Sequence, residues 1–271
     1  MQALTDVIAT AQSELAKLLE KALVDGPLSV NQYQRYLSMQ YHLTRGVQTY
    51  FLRAAAHDEL ARKRRLRKFL FDFANEEELH YLVAECDLRR MGLPVLPQPL
   101  DVTLWHAHFG AVVDRWPFLR LGAACVLENI AGGVAGPMVR KALQAPFLAP
   151  ENSRFIVLHL HEAQPHGEQI LEALASAGTG PAQQDDLATG ARQAAVLFLR
   201  MMEWALLPSS TVALFEPGAG PAVAPGIPAQ FGSGLRDDFV STGGSRQIAR
   251  GFDPGAAFWT AVGLPLPYRP R

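Results

Sequence analysis

The sequence predicts an all-α fold, a seven-helix bundle followed by a Gly/Pro-rich C-terminal strap. Three observations carry this expectation. Nearly everything up to residue 214 has helical composition and spacing, the amphipathic opening MQALTDVIATAQSELAKLLEKAL being the plainest case. The helical stretches are separated by short loops in which Pro and Gly supply the stops. From Glu216 the composition shifts abruptly to EPGAGPAVAPGIPAQFGSG, which holds no regular helix. Long helices with short connections pack as one bundle, so the expected domains are residues 1–214 and a C-terminal extension, 215–271.

The elements follow in order. A first helix is expected from Thr5 to Val24, stopped by Gly26-Pro27. Ser29 with Gln32 makes a capping box for a second helix running through Ala56. A third begins near Asp58 and ends at Gly92-Leu93-Pro94, with Pro97 and Pro99 prolonging the loop. Further helices are expected over residues 102–114, 117–143, 151–177 and 181–214. The tail after them carries Phe231, Phe239, Phe252, Phe258, Trp259 and Tyr268, which is rich in aromatics for pure disorder. It is expected to pack over the bundle surface, at a dimer contact or over a pocket mouth.

Charge and cysteine usage narrow the function classes. The 271 residues carry a formal net charge of -1, which gives no electrostatic footprint for nucleic acid. The basic run RKRRLRK at residues 62–68 faces the acidic Glu76, Glu77 and Glu78 close by. It marks a solvated face, or a docking patch for an acidic partner or anionic substrate. Cys86 and Cys125, the two cysteines, exclude a disulfide framework and fit a reducing cytoplasm. The N-terminus lacks a secretory apolar core, and no run of eighteen apolar residues appears, so neither secretion nor a membrane span is expected.

The segment FIVLHLHEAQPHGEQILE, residues 155–172, carries the most chemistry. On one helix His159, Glu162 and His166 fall within about 60° of one another. Two imidazoles and a carboxylate on a buried stripe need a shared partner, and a metal ion is one. An exposed polar helix face is the plain alternative. A second segment, FLFDFANEEELHYLVAECDLRRM, places Glu77 and His80 three residues apart, the spacing by which helices present carboxylate and imidazole ligands. The alternative there is a charged, exposed turn. A third, LRLGAACVLENI, holds Glu128 in an apolar run, where a carboxylate is costly unless paired or metal-bound. Arg120 and Arg140 are the pairing alternatives, each two to three turns away.

The order Glu77-x-x-His80, Glu128, His159-x6-His166 resembles the haem-oxygenase-like di-iron oxidases, over about residues 30–205. That superfamily includes undecene-forming fatty-acid decarboxylases, thiaminase II and pyrroloquinoline quinone synthase. The resemblance implies two ferrous ions, with manganese as the alternative, held by Glu77, His80, Glu128, His159, Glu162 and His166. It also implies dioxygen and a small amino-acid-like or acyl substrate, in N-oxygenation, desaturation or oxidative C–C cleavage within specialised metabolism. One position departs from the pattern. The family places Asp where this chain has Ala163, and the acid here is Glu162, beside a Pro165 that should bend the helix. The second ion is therefore expected only if Glu162 reaches the missing position.

Two metal-independent readings stand beside this one. In a thiaminase II-like enzyme Cys125, one turn before Glu128, would be a nucleophile; the plain alternative is a buried apolar cysteine. In a pyrroloquinoline quinone synthase-like enzyme Arg45, Arg53, Tyr41 and His42 on the second helix would hold an anionic substrate. The same four are the expected substrate-binding residues of the iron enzyme, because Arg pairs carboxylates through two hydrogen bonds. The expected partners are thus a small-molecule substrate and dioxygen, with a homodimer left open.

Overall fold

In the computed structural model the described residues are 1–160 and 166–207, His159 and Leu160 being described by their backbone alone. Eleven α-helices form among them, and no strand does. They are α1 (Gln2–Ala22), α2 (Val30–Thr44), α3 (Gln48–Ala56), α4 (Arg64–Glu77), α5 (His80–Arg90), α6 (Leu100–Val112), α7 (Pro117–Asn129), α8 (Gly136–Ala142), α9 (Arg154–Leu160), α10 (His166–Ser176) and α11 (Pro181–Leu206). The expected strap and the 215–271 extension lie outside the described residues.

Among the described residues the expected seven stretches appear as eleven helices, and the second, third and fifth of them break. The second is interrupted after Thr44, where Gly46 takes a φ of 81° that other residues avoid. The third opens with a 3-10 turn, Asp58–Leu60, and is then divided at Glu78-Leu79. Glu76, Glu77 and Glu78 crowd that division, and three acids at a helix C-terminus oppose its dipole. The fifth ends at Asn129, and Gly133, with φ 48°, turns the chain into α8. The sixth starts at Arg154 rather than Glu151. Asn152 and Ser153 there bond backward, Nδ2 to Phe147 O and Oγ to Ala149 O, which favours a turn over a helix. Its continuity through 161–165, Pro165 included, lies outside the described residues. The capping box is formed, Ser29 Oγ accepting from Gln32 N while Gln32 Oε1 accepts from Ser29 N.

Helices α7 and α11 form the centre, with α1 against both and α10 between α7 and α4. The central pair approaches through glycines. A Cβ on Gly122 would stand 2.0 Å from Leu187 O, and one on Gly190 1.8 Å from Leu119 O. The stretch Pro117–Ala142 is apolar and long enough to cross a membrane, but 61% of its apolar window is buried inside the bundle. On α1 the stripe Leu4, Ile8, Ala11, Leu15 and Leu19 is buried, each large side chain contributing about 1.5–3 kcal/mol.

Asp87 ties α5 to the start of α9, its Oδ2 accepting from Phe155 N at 2.8 Å while the side chain is fully buried. Burial lifts its pKa from 3.8 to about 6 against the lowering effect of that hydrogen bond and of Arg90 and Arg154. The folded protein therefore keeps this proton to higher pH than the unfolded chain does. Below about pH 3.8 both states hold it; between there and about pH 6 only the folded state does, so stability falls as pH rises. The loss is on the order of 3 kcal/mol. Asp87→Asn keeps an acceptor and should abolish this slope, whereas Asp87→Ala should cost about 1–2 kcal/mol by uncapping α9. Urea melts from pH 4 to 7 read both, and an unchanged slope in the Asn variant would exonerate Asp87.

Candidate metal centre

Three of the six expected ligands occupy helix ends, and a fourth lies on α10. Glu77 is the last residue of α4, His80 the first of α5 and Glu128 the penultimate residue of α7, while His166 lies in α10. The first three positions follow from the breaks just described, and α7 and α10 meet closely enough to bring Glu128 and His166 together. Asn129 Nδ2 donates to Cys125 O at 2.8 Å and to Gly167 O at 3.3 Å, fastening the start of α10 to the end of α7. Gln12 on α1 adds a third tie, its Nε2 donating to Asn129 O at 2.8 Å.

One ligand atom from each of Glu77, Glu128 and His166 lies within 4.8 Å of the other two. His166 Nδ1 is 3.0 Å from Glu77 Oε1 and 3.7 Å from Glu128 Oε2. On the other side of Glu77, Oε2 lies 2.7 Å from His80 Nδ1. The two imidazoles are nearly parallel, 6.1 Å apart, with Glu77 between them, and Phe73 packs edge-on against His166 at 4.8 Å. All four side chains are at most 13% exposed. The far nitrogen of His166, Nε2, is 3.5 Å from Glu76 Oε2, whose side chain is 44% exposed.

The electrostatics are those of a buried cluster of opposite charges. Burial alone would raise Glu77, but His80 and His166 outweigh it and hold the carboxyl well below the usual range. Glu128 moves the other way, pushed up by burial and by the neighbouring Glu77. For His166 burial is outweighed by Glu128, Glu76 and Glu77, which hold the imidazole well above its ordinary value. His80 rises too, Glu77 outweighing the effect of burial. Two carboxylates and two imidazoles brought this close require shared protons or a cation, and oxygen and imidazole donors without thiolate suit iron or manganese. The donor set therefore fits a metal ion.

His159 lies in α9, but its side chain, like the whole of Glu162, is outside the described residues. The four expected substrate-binding residues have other neighbours. Arg53 Nε donates to Asp114 Oδ1 at 2.9 Å and its NH2 to Gly110 O at 2.8 Å, a second bond joining NH2 to Asp114 Oδ2. Arg45 is exposed at the end of α2. His42 Nε2 donates to Leu96 O at 2.8 Å, and Tyr41 packs edge-on against His42 and Tyr81. Cys125 is fully buried, and burial followed by the charge of Glu128 pushes its thiol far up, so it is held protonated and poorly nucleophilic.

Sequence reasoning passed over Asn129, Gly167 and the true setting of Arg120. Gly167 follows a candidate ligand directly, and Arg120 is the one cation of the apolar stretch PFLRLGAACVLEN; those were the available signals.

No protein-family model matches the chain, and no curated protein matches it. A solved structure does, a domain of unknown function with a haem oxygenase-like fold from Shewanella denitrificans. The similarity covers 81% of this chain and 96% of that one, with 19% sequence identity and a TM-score of 0.67. The chain has the haem oxygenase-like fold.

Proposed function

We propose that the protein is a non-haem iron-dependent oxidoreductase that uses dioxygen to oxidise a small amino-acid-like or acyl substrate. The observation that carries this reading is the convergence of Glu77, Glu128 and His166 from three helices at one largely buried point. A ferrous centre bound there supplies the reduction of dioxygen. Glu77, Glu128 and His166 would hold the first ion, with His80 on the free side of Glu77. His159 and Glu162 would complete a second.

The surrounding residues prepare the ligands. Glu76 Oε2, 3.5 Å from His166 Nε2, would hold the proton on that nitrogen once an ion replaced the one on Nδ1; such carboxylate partners raise the basicity of a metal-bound imidazole. Phe73 covers one edge of His166 and keeps water from that side. The α4 and α7 C-termini would bring negative dipole ends toward the cation, and the α5 N-terminus disfavours a charged His80.

Anaerobic titration with ferrous iron should give between one and two bound equivalents. Free iron at a hundred times its dissociation constant should stabilise the fold by about 2.7 kcal/mol. Glu77→Gln should abolish binding, and Glu162→Ala should remove about one equivalent while leaving the helices intact. If iron, manganese and zinc all leave the melting temperature unchanged and fail to co-purify, the metalloenzyme reading is wrong.

A further inference from the structure

Arg120 lies on α7, two turns before Glu128, and its side chain is completely buried. Among the described residues none of its three guanidinium nitrogens has a hydrogen-bond partner. Its neighbours are ring faces. The guanidinium carbon is 4.9 Å from the Tyr50 ring, 5.3 Å from Phe51 and 5.8 Å from Phe109. Such faces offset only part of the cost of removing a cation from water.

The polar end of Tyr50 is committed elsewhere. His106 Nε2 donates to His42 O at 2.9 Å, which leaves Nδ1 as an acceptor for the Tyr50 hydroxyl at 2.9 Å. Burial also keeps that phenol neutral, outweighing the opposite pull of Arg120 and Arg53. The carboxylate whose charge reaches Arg120 is Glu128, without a direct contact. A divalent ion held by Glu77 and Glu128 would offset their two charges and leave Arg120 without a counterion among the described residues around it. A planar guanidinium fork with free N–H groups is matched best by a carboxylate.

We propose that Arg120 is the anchor for a carboxylate on the substrate, held inside the bundle on the same helix that carries Glu128. This rests on the metal reading above for its charge balance, and it narrows the substrate to one that carries a carboxylate. The aromatic faces of Tyr50, Phe51 and Phe109 exclude water around the pair, so the carboxylate is recognised by charge and fork geometry together. The same role was expected of Arg45 or Arg53, of which Arg45 is exposed and Arg53 is bound to Asp114.

The test uses the full chain, free of metal and loaded with Mn(II), with acetate, hexanoate and benzoate as probes and hexanamide as the uncharged match to hexanoate. Binding is followed by calorimetry and melting temperature, and metal content by elemental analysis. At least one carboxylate should bind, and hexanamide should bind no better than about 30-fold more weakly than hexanoate or not at all. Arg120→Met should weaken the carboxylate by about 30-fold or more while bound manganese is unchanged. Its unliganded melting temperature should equal or exceed that of the wild type, because an uncompensated buried charge has been removed. Arg120→Lys should recover part of the binding. No binding by any of the three carboxylates, equal affinity for hexanamide, or equal affinity in Arg120→Met with a lowered melting temperature would each make Arg120 a structural residue and overturn the proposal. Loss of manganese binding with carboxylate binding intact would strike the metal reading alone.

Discussion

Gly190→Ala is expected to be the most destabilising single-methyl change in the bundle, with Gly122→Ala close behind. The added Cβ of the first would lie 1.8 Å from Leu119 O and that of the second 2.0 Å from Leu187 O. Both obstacles are backbone carbonyls within helices, so no rotamer change relieves them. The α7 and α11 axes would have to separate by about an ångström, loosening packing along the whole central pair. Overpacking a core costs about 1–3 kcal/mol even where side chains can yield, and these contacts should lie at or above the top of that range. In a domain of this size about 3 kcal/mol corresponds to a fall in melting temperature of roughly 6–12 °C. Gly180→Ala is the matched control, since a Cβ there meets nothing within 4 Å, and it should cost no more than about 1 kcal/mol. Calorimetric melts of the three variants decide the matter, and a Gly190→Ala protein melting with the control would refute the close approach of the two helices.

Gly167→Ala should damage the candidate metal centre without unfolding the protein. Its Cβ would sit 2.3 Å from Asn129 Oδ1 and 2.7 Å from Glu128 O, so the start of α10 must back away from the end of α7. His166 is the adjoining residue and moves with it, away from Glu128 Oε2 at 3.7 Å. Metal–ligand distances tolerate only about 0.2 Å, and loss of supporting contacts around a site typically costs about 10–100-fold in affinity. Manganese and ferrous affinities should fall by at least that much, while far-UV circular dichroism stays that of the wild type. Wild-type affinity in this variant would mean that His166 reaches the ion by a route independent of the α7–α10 contact.

The helical class, the capping box at Ser29 and the pairing of Glu77 with His80 were legible because each depends on residues near in sequence. The same holds for the suspicion attached to Glu128, a lone acid in an apolar helix. The breaks inside the long stretches were harder to see. Gly46 and Gly133 were visible as residues, but only the packing of neighbouring helices decides whether a helical glycine is passed through or turned at. The junction at Glu78-Leu79 has no Gly or Pro to announce it. Arg120 was weighed only as a partner for Glu128, since no local pattern shows that Tyr50, Phe51 and Phe109 fold around it from α3 and α6. The partner of Arg53 is likewise a long-range fact, the bidentate grip of Asp114 across 61 positions.

The glycine seam between α7 and α11 also has a mechanical meaning for the centre. With backbone laid against backbone, α7 is the anvil of the site, and Glu128 rides on it. Glu77 and His80 flank an interrupted helix, so an ion held by the proposed centre would meet its adjustable ligands on that side. Ions of different radius would then be accommodated from the α4–α5 side, with Glu128 the ligand least free to shift.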